Sequence, residues 1–432
     1  MTTAPNDDLP ARFLWLPPFV RPTQPMVRRE ERVFLLVGLA ALFAGFDQNV
    51  YGFAIPQIQA TLHIPENQIG LTVTYFRIAT LVAMMLALTA DIVGRRRLLL
   101  ITIFGQAAFT LATAFSQTYV QFVWFQILTR VFGYAEEMLC IVVIVEEVAA
   151  NVRGWAAGTL AGLTYTGAGL AALCFAAVNI LPGQWRALYV IGGFSMFFVA
   201  FLRRRLPETK RFQIRHEQVE KLHARIGGGF DLVRRLLREF PGRILLIALV
   251  AGAWGFAIGP GTVLAASYLQ KTLHYAPWQA SALMIPGGLF ALWLNILMGR
   301  LSDRVGRKLV IFVMMSVSGV AYVTFFSGLH GAAIPVLWIT AFFGFFTADS
   351  LVRSLSAEIM PTAYRATIGG LCYCVEIIAG GVSLGLEGRW YDYFHAHGPA
   401  IAVSLLAIPI ALFGLLFLPE PSGRVLEDIS HT

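Results

Sequence analysis

The sequence predicts an all-α membrane protein of twelve transmembrane helices, arranged as two six-helix bundles related by pseudo-two-fold symmetry. Three observations predict this. The 432-residue chain is 57% hydrophobic and only 13% charged, with a mean hydropathy of +0.67. Its charges are clustered, leaving apolar runs of about 20 residues, enough to cross a hydrocarbon core of about 30 Å. The same residues also recur in two halves at a constant offset of 212 positions (303 minus 91). Asp91, Gly94 and Arg95 recur as Asp303, Gly306 and Arg307; Glu146 and Arg153 recur as Glu358 and Arg365; Leu206-Pro207-Glu208 recurs as Leu418-Pro419-Glu420. Unsatisfied backbone is costly in lipid, so the spans are helices. The alternation of barrel strands is absent.

Residues 1–32 are polar and Pro-rich, without a small-residue cleavage pattern, and read as a cytoplasmic tail. Within it, Phe13-Leu14-Trp15-Leu16 either rests on the headgroup layer or belongs to a disordered tail. Six apolar runs follow, at 33–60, 70–90, 98–117, 121–148, 155–180 and 187–203, giving an N-terminal bundle over 33–203. The strongly charged stretch 204–243 links the halves. It is read as a solvated amphipathic connection, with a regulatory partner site as the alternative. Runs at 244–270, 278–299, 309–328, 332–357, 366–388 and 398–418 form the C-terminal bundle over 244–418, before a cytoplasmic tail at 419–432. Gly38, Gly45, Gly52, Gly162, Gly167 and Gly169 are expected to let helices approach closely. Cys140, Cys174, Cys372 and Cys374 all lie in apolar runs and read as core residues, with no disulfide framework.

The net charge of +8 reports topology. With the N-terminus inside, 27 Lys and Arg fall on cytoplasmic segments, and only Arg186, Lys271 and Arg389 on the opposite face. That asymmetry is the positive-inside rule and puts both termini in the cytoplasm. No soluble basic domain exists to hold nucleic acid. Signatures of metalloproteases, P-loops, nucleophile elbows and Cys/His metal clusters are absent, so no catalytic residue, cofactor or metal is expected.

The loops after the second and eighth runs read ALTADIVGRRRLLL and GRLSDRVGRKLVIF. Glycine allows a tight reversal between spans, and arginines there meet the anionic leaflet. This G-x-x-x-D-x-x-G-R-[KR] pattern resembles the signature loop of the major facilitator superfamily, with Ala87 in place of the leading glycine of the first copy and Gly299 in the second. IVEEVAANVRG and SAEIMPTAYRATIGG resemble the family's E-x-x-P-x-x-x-R-G segments, with Ala149 and Ala366 as departures. The resemblance implies a major facilitator fold and two cytoplasmic gate clusters: Asp91, Gly94, Arg95, Glu146 and Arg153 in one half, and Asp303, Gly306, Arg307, Glu358 and Arg365 in the other. Such ion pairs latch the cytoplasmic mouth or are surface pairs of little worth, about 0–1 kcal/mol each.

Ionisable residues deep in a span are costly and therefore mark function. The chain carries Asp47, Arg77, Arg130, Glu136, Glu137, Asp349, Arg353 and Glu376 inside apolar runs. GFDQNVYG around Asp47 resembles the first-helix motif of proton-coupled sugar porters and aromatic-acid symporters, and Arg130-x-x-Gly133 resembles their fourth-helix motif. The resemblance implies that Asp47 binds a coupled proton beside Arg130, with Glu137 assisting. Moving an arginine relative to a carboxylate changes its proton affinity. Glu136 and its neighbour Glu137 diverge by about 100° on a helix, so Glu136 receives a packing or interhelical role. Asp349 and Arg353 have the spacing to satisfy each other. Gln48, Asn49, Tyr51, Gln57, Arg77, Tyr165, Trp254, Asn295 and Glu376 could line a substrate site. The leading expectation is a monomeric proton symporter in the inner membrane that moves an organic acid or sugar-like metabolite by alternating access. The alternative is a proton-driven exporter of drugs or cationic metabolites.

Overall fold

The computed structural model describes residues 13–14, 21–22, 26–89, 94–147, 153–204, 238–328, 331–360 and 365–420. α1 (Arg28–Leu62) leads through a 3-10 turn (Glu66–Gln68) into α2 (Ile69–Leu88). α3 (Arg95–Ala114), α4 (Tyr119–Glu147), α5 (Arg153–Ala176) and α6 (Trp185–Arg203) complete the first half. The second half runs through α7 (Pro241–Lys271), α8 (Pro277–Val305), α9 (Arg307–Phe325), α10 (Ala333–Glu358) and α11 (Arg365–Phe394). The twelfth crossing is split into α12 (His397–Leu405) and α13 (Ile408–Phe417), with Pro409 in the first turn of α13. Among the described residues, ten stretches are long and apolar enough to cross a membrane. α4 is not one of them, although it is 29 residues long. Arg130, Glu136 and Glu137 near its middle lower its hydropathy.

The duplication is visible in the backbone itself. α3 and α9 both begin after a glycine with positive φ: Gly94 at φ 98°, ψ 141° and Gly306 at φ 107°, ψ 138°. Only glycine adopts such angles without strain, so the same residue makes the same reversal in both halves.

Packing separates two compact units, Met1–Tyr51 with Ala79–His223, and Gly52–Ile78 with Ala224–Thr432. The C-terminal part of α1, the 3-10 turn and the first half of α2 are therefore part of the second unit. This partition differs from a cut at the central linker, most of which (205–237) lies outside the described residues.

In the first unit, Val33, Phe34, Val37, Leu98, Leu139, Ile144, Ala156 and Leu160 form one cluster. Phe13 joins it at 2% exposure, edge-on to Phe34 at 6.3 Å and to Trp155 at 5.4 Å. This corrects the expectation that Phe13 rests on headgroups or in a disordered tail: two aromatic partners give it a better-packed site than the lipid interface. Leu14 beside it is 72% exposed, and Trp15 and Leu16 lie outside the described residues.

α1 crosses α5 at close quarters. A Cβ on Gly45 would overlap the Thr164 carbonyl, and one on Gly167 would overlap the Leu42 carbonyl. Gly162 and Gly169 face open space and Gly52 has only ordinary contact, so of the six glycines the close-packing role falls to Gly38, Gly45 and Gly167. Gly167→Ala is expected to destabilise the protein by about 1–3 kcal/mol through overpacking. Gly169→Ala on the same helix should leave the melting temperature in detergent unchanged.

In the second unit, α7 and α11 meet backbone to backbone, with Gly255 against Glu376 and Gly259 against Gly380. Trp254, Tyr322, Phe325 and Trp338 are its largest buried rings.

Candidate functional site

Asp47 is 1% exposed in the middle of α1. The Thr110 hydroxyl on α3 donates to its Oδ1 at 3.1 Å, while Oδ2 has no hydrogen-bond partner. Gln106, one turn earlier on α3, adjoins this carboxyl, and its Nε2 is likewise unmatched. Room for that amide comes from Gly133 on α4, where a Cβ would stand 2.9 Å from Gln106 Nε2. Arg130, one turn before Gly133, reaches α1: its Nη2 donates to the Asp47 carbonyl at 3.4 Å and the Gln48 carbonyl at 3.1 Å. The guanidinium is close enough to act electrostatically on Asp47. The Arg-x-x-Gly spacing thus has a local meaning. The arginine reaches α1 while the glycine admits the amide beside the acid.

Gln48 Nε2 donates to Glu137 Oε2 at 3.3 Å, tying α1 to α4 a second time. Tyr51 is buried against Phe122 at 5.8 Å, and the buried Tyr189, with no partner for its hydroxyl, lies beyond Phe122 at 6.3 Å. Asn49 is exposed and turns back to the Gly45 carbonyl at 2.8 Å. Tyr165 is 42% exposed on α5.

Glu136 points elsewhere. It forms an ion pair with Arg203 at the end of α6, accepts from Thr102 at 2.5 Å and receives the Cys140 thiol at 3.3 Å. Arg203 also donates through Nε to the Leu36 carbonyl at 3.2 Å. Glu136 and Arg203 are 1% and 0% exposed. Arg203, counted from sequence among the cytoplasmic cations, is a buried clamp joining α1, α4 and α6.

In the second unit, Arg353 Nη2 bridges Asp349 at 3.0 Å and Glu376 at 3.1 Å, with its guanidinium 4.7 Å above the Tyr373 ring. Two carboxylates share one arginine, where the spacing of Asp349 and Arg353 suggested a closed pair. Trp254 is buried and stacks on Phe345 at 6.3 Å. Arg77 on α2 lies over Gly380 and Gly381 of α11 and donates to the Ile377 carbonyl at 3.2 Å. Gln57 Nε2 donates to Gln270 Oε1 at 2.7 Å. The Asn295 side chain lies outside the described residues.

At the far end of α8, Gly306 turns the chain so that Arg307 Nε meets Glu358 Oε2 at 2.5 Å, with Ser354 donating to the same carboxylate at 3.0 Å. Glu420 completes this cluster, accepting from the backbone N–H of Arg307 and Lys308, both at 2.9 Å. A carboxylate at a helix N-terminus satisfies orphan donors and complements the dipole. Asp91 and the side chains of Arg95, Glu146, Arg153, Asp303 and Arg365 lie outside the described residues. Among the described residues, no group of three or more His, Cys, Asp or Glu could hold a metal ion.

Sequence reasoning found the rare charges and missed their neutral partners. Thr110, Gln106 and Tyr189 carry no signal in a single apolar run. Glu420 had one, because the Leu-Pro-Glu repeat marked it without showing its use.

Three comparisons place the chain. The D-xylose-proton symporter structure superposes with a TM-score of 0.73 at 17% identity, covering 91% of this chain and 99% of that chain. A "Probable 4-methylmuconolactone transporter" of Cupriavidus pinatubonensis (strain JMP 134 / LMG 1197) is 24% identical over 406 residues, covering 89% of this chain and 90% of the relative. The 3-(3-hydroxy-phenyl)propionate transporter of Escherichia coli (strain K12) is 24% identical over 400 residues, covering 90% and 91%. The model of the Major Facilitator Superfamily matches residues 37–383 and 261–429. With twelve helices in two six-helix bundles and transporters for relatives, this multi-pass membrane chain belongs to the Major Facilitator Superfamily and is a secondary transporter, not an enzyme.

Proposed function

We propose that the protein is a proton symporter of small carboxylate-bearing organic solutes, working by alternating access in the cell membrane with both termini cytoplasmic. The observation that carries this reading is Asp47, an acid buried in mid-span with one oxygen unmatched and an arginine beside it. Asp47 carries the proton, Arg130 beside it sets the proton affinity, and Glu137 assists. Gln48, Asn49, Tyr51, Arg77, Tyr165, Trp254, Asn295 and Glu376 orient the solute. Arg77 and Arg130 supply the positive charge a carboxylate needs, and a relative whose name specifies a propionate supports that class. The segments 33–203 and 244–418 act as the two moving bundles, and the charged loop clusters, including Arg307 with Glu358, latch the cytoplasmic mouth. The protein works as a monomer.

The test is uptake of labelled aromatic and dicarboxylic acids into proteoliposomes, with and without an imposed pH gradient. Accumulation above equilibrium only with the gradient supports the reading. Equal uptake in both conditions overturns it. A second reading, export of cationic compounds, draws on Asp349 and Glu376, two carboxylates around a single arginine. A susceptibility profile of an overexpressing strain separates the two.

A further inference from the structure

A second set of ionisable groups, His397 and Glu387 buried and Glu66 and Lys271 half-buried, lies far along α1 from Asp47, where residues 63–68 join α1 to α2. Glu66, in the 3-10 turn, receives Lys271 of α7 on Oε1 at 2.5 Å, and Lys271 also reaches Gln59 of α1. The other oxygen of Glu66 faces His397 Nε2 of α12 at 3.4 Å. The second ring nitrogen, Nδ1, meets Glu387 Oε1 of α11 at 2.8 Å. Tyr391 of α11 lies against the ring, 4.5 Å between centroids. Glu387 is fully buried, its Oε2 has no hydrogen-bond partner, and Gly70 of α2 packs over the neighbouring Leu384 carbonyl. Asp392 is engaged separately by Asn67 at 3.2 Å.

Both imidazole nitrogens therefore face carboxylate oxygens. A neutral ring has one N–H, so one of these contacts would set a lone pair against a carboxylate; the imidazolium donates to both. Charge points the same way. Two carboxylates and one lysine leave a net negative charge around a buried ring, and one proton on that ring cancels it. Every member of the cluster belongs to the second unit, but Gln59 and Glu66 come from the segment Gly52–Ile78, which is N-terminal in sequence. That segment also reaches α11 through groups that do not titrate in this range: the Thr74 hydroxyl donates to the Gly381 carbonyl at 2.7 Å and the Arg77 guanidinium to the Ile377 carbonyl.

We propose that His397, held between Glu66 and Glu387, is a second proton-binding site, and that the proton it binds latches the segment 52–78 into the second unit. Losing the proton turns the Glu66 contact from attraction to repulsion between lone pairs. The segment then separates more readily, which opens this end of the molecule. The inference rests on the alternating-access reading only for what that opening serves.

The experiment measures a distance, without substrate. Spin labels are placed at Thr61→Cys and Tyr393→Cys, both exposed, in the full chain with its four native cysteines replaced. Double electron–electron resonance in liposomes at about pH 6 and about pH 8 brackets the range in which histidine ordinarily titrates. The ratio of long to short distances is expected to rise about tenfold or more between these two pH values, since one coupled proton changes it by up to about tenfold per pH unit. In His397→Gln, which hydrogen-bonds but does not titrate, the ratio should be the same at both pH values. In Glu66→Gln, whose amide donates to the neutral ring and leaves the cluster uncharged without the proton, the ratio should lose most of its pH dependence. A parent distribution independent of pH, or a pH shift that survives His397→Gln, overturns the proposal. If instead the distances respond to pH while the uptake assay shows no gradient dependence, the symport reading fails and this site stands.

Discussion

Asp47→Asn should abolish accumulation against a gradient while leaving solute exchange across the membrane intact. Asparagine keeps the shape of the side chain and can still accept the Thr110 hydroxyl. It loses the ability to bind and release a proton. A gradient of one pH unit is worth about 1.4 kcal/mol per proton, so it can drive about tenfold accumulation of a solute that moves with one proton. In the variant this ratio should fall to equilibrium. Exchange of labelled for unlabelled solute needs only the loaded carrier to reorient, and should persist. Retained accumulation in Asp47→Asn would move the coupling elsewhere, with Glu137 the nearest acid tied to the same helix pair.

Loss of one partner from the Glu136–Arg203 pair has the largest expected effect on stability. Both side chains are almost completely buried, and the guanidinium also holds α1 through the Leu36 carbonyl. Removing either charge strands the other in a low-dielectric interior, at about 3–5 kcal/mol. Glu136→Ala should therefore unfold well below the parent in detergent. The double variant Glu136→Leu with Arg203→Met replaces the pair by apolar volume and should recover most of the loss. A double variant as unstable as the single one would mean that the pair's role lies in its hydrogen bonds to Thr102, Cys140 and Leu36 rather than in charge balance.

Much of the fold could be read from hydropathy and repetition, because lipid leaves so few solutions for the backbone. The differences concern the helix ends. α1 starts at Arg28 and α11 continues to Phe394, past the apolar runs that identified them, since a helix does not stop where the hydrocarbon does. The site was legible only where it was charged. Asp47 and Arg130 announced themselves as misfits in apolar runs, whereas Thr110 and Gln106 act only because α3 crosses α1 at that height, a fact of tertiary packing. The burial of Arg203 was hidden for the opposite reason: it heads the basic run Arg203-Arg204-Arg205, in which Arg203 turns inward while Arg204 is exposed.

The single glycine at which α1 passes from one compact unit to the other has a mechanical consequence. Tyr51 closes the first unit and Gly52 opens the second. Pro56 lies one turn further along and has no N–H to offer the Gly52 carbonyl, so the ladder lacks a rung there. A rod missing one rung, at a residue without a side chain, has a weak point there. On the proposed function, the proton-binding Asp47 precedes this joint in the chain, and the proposed His397 latch holds the segment that follows it.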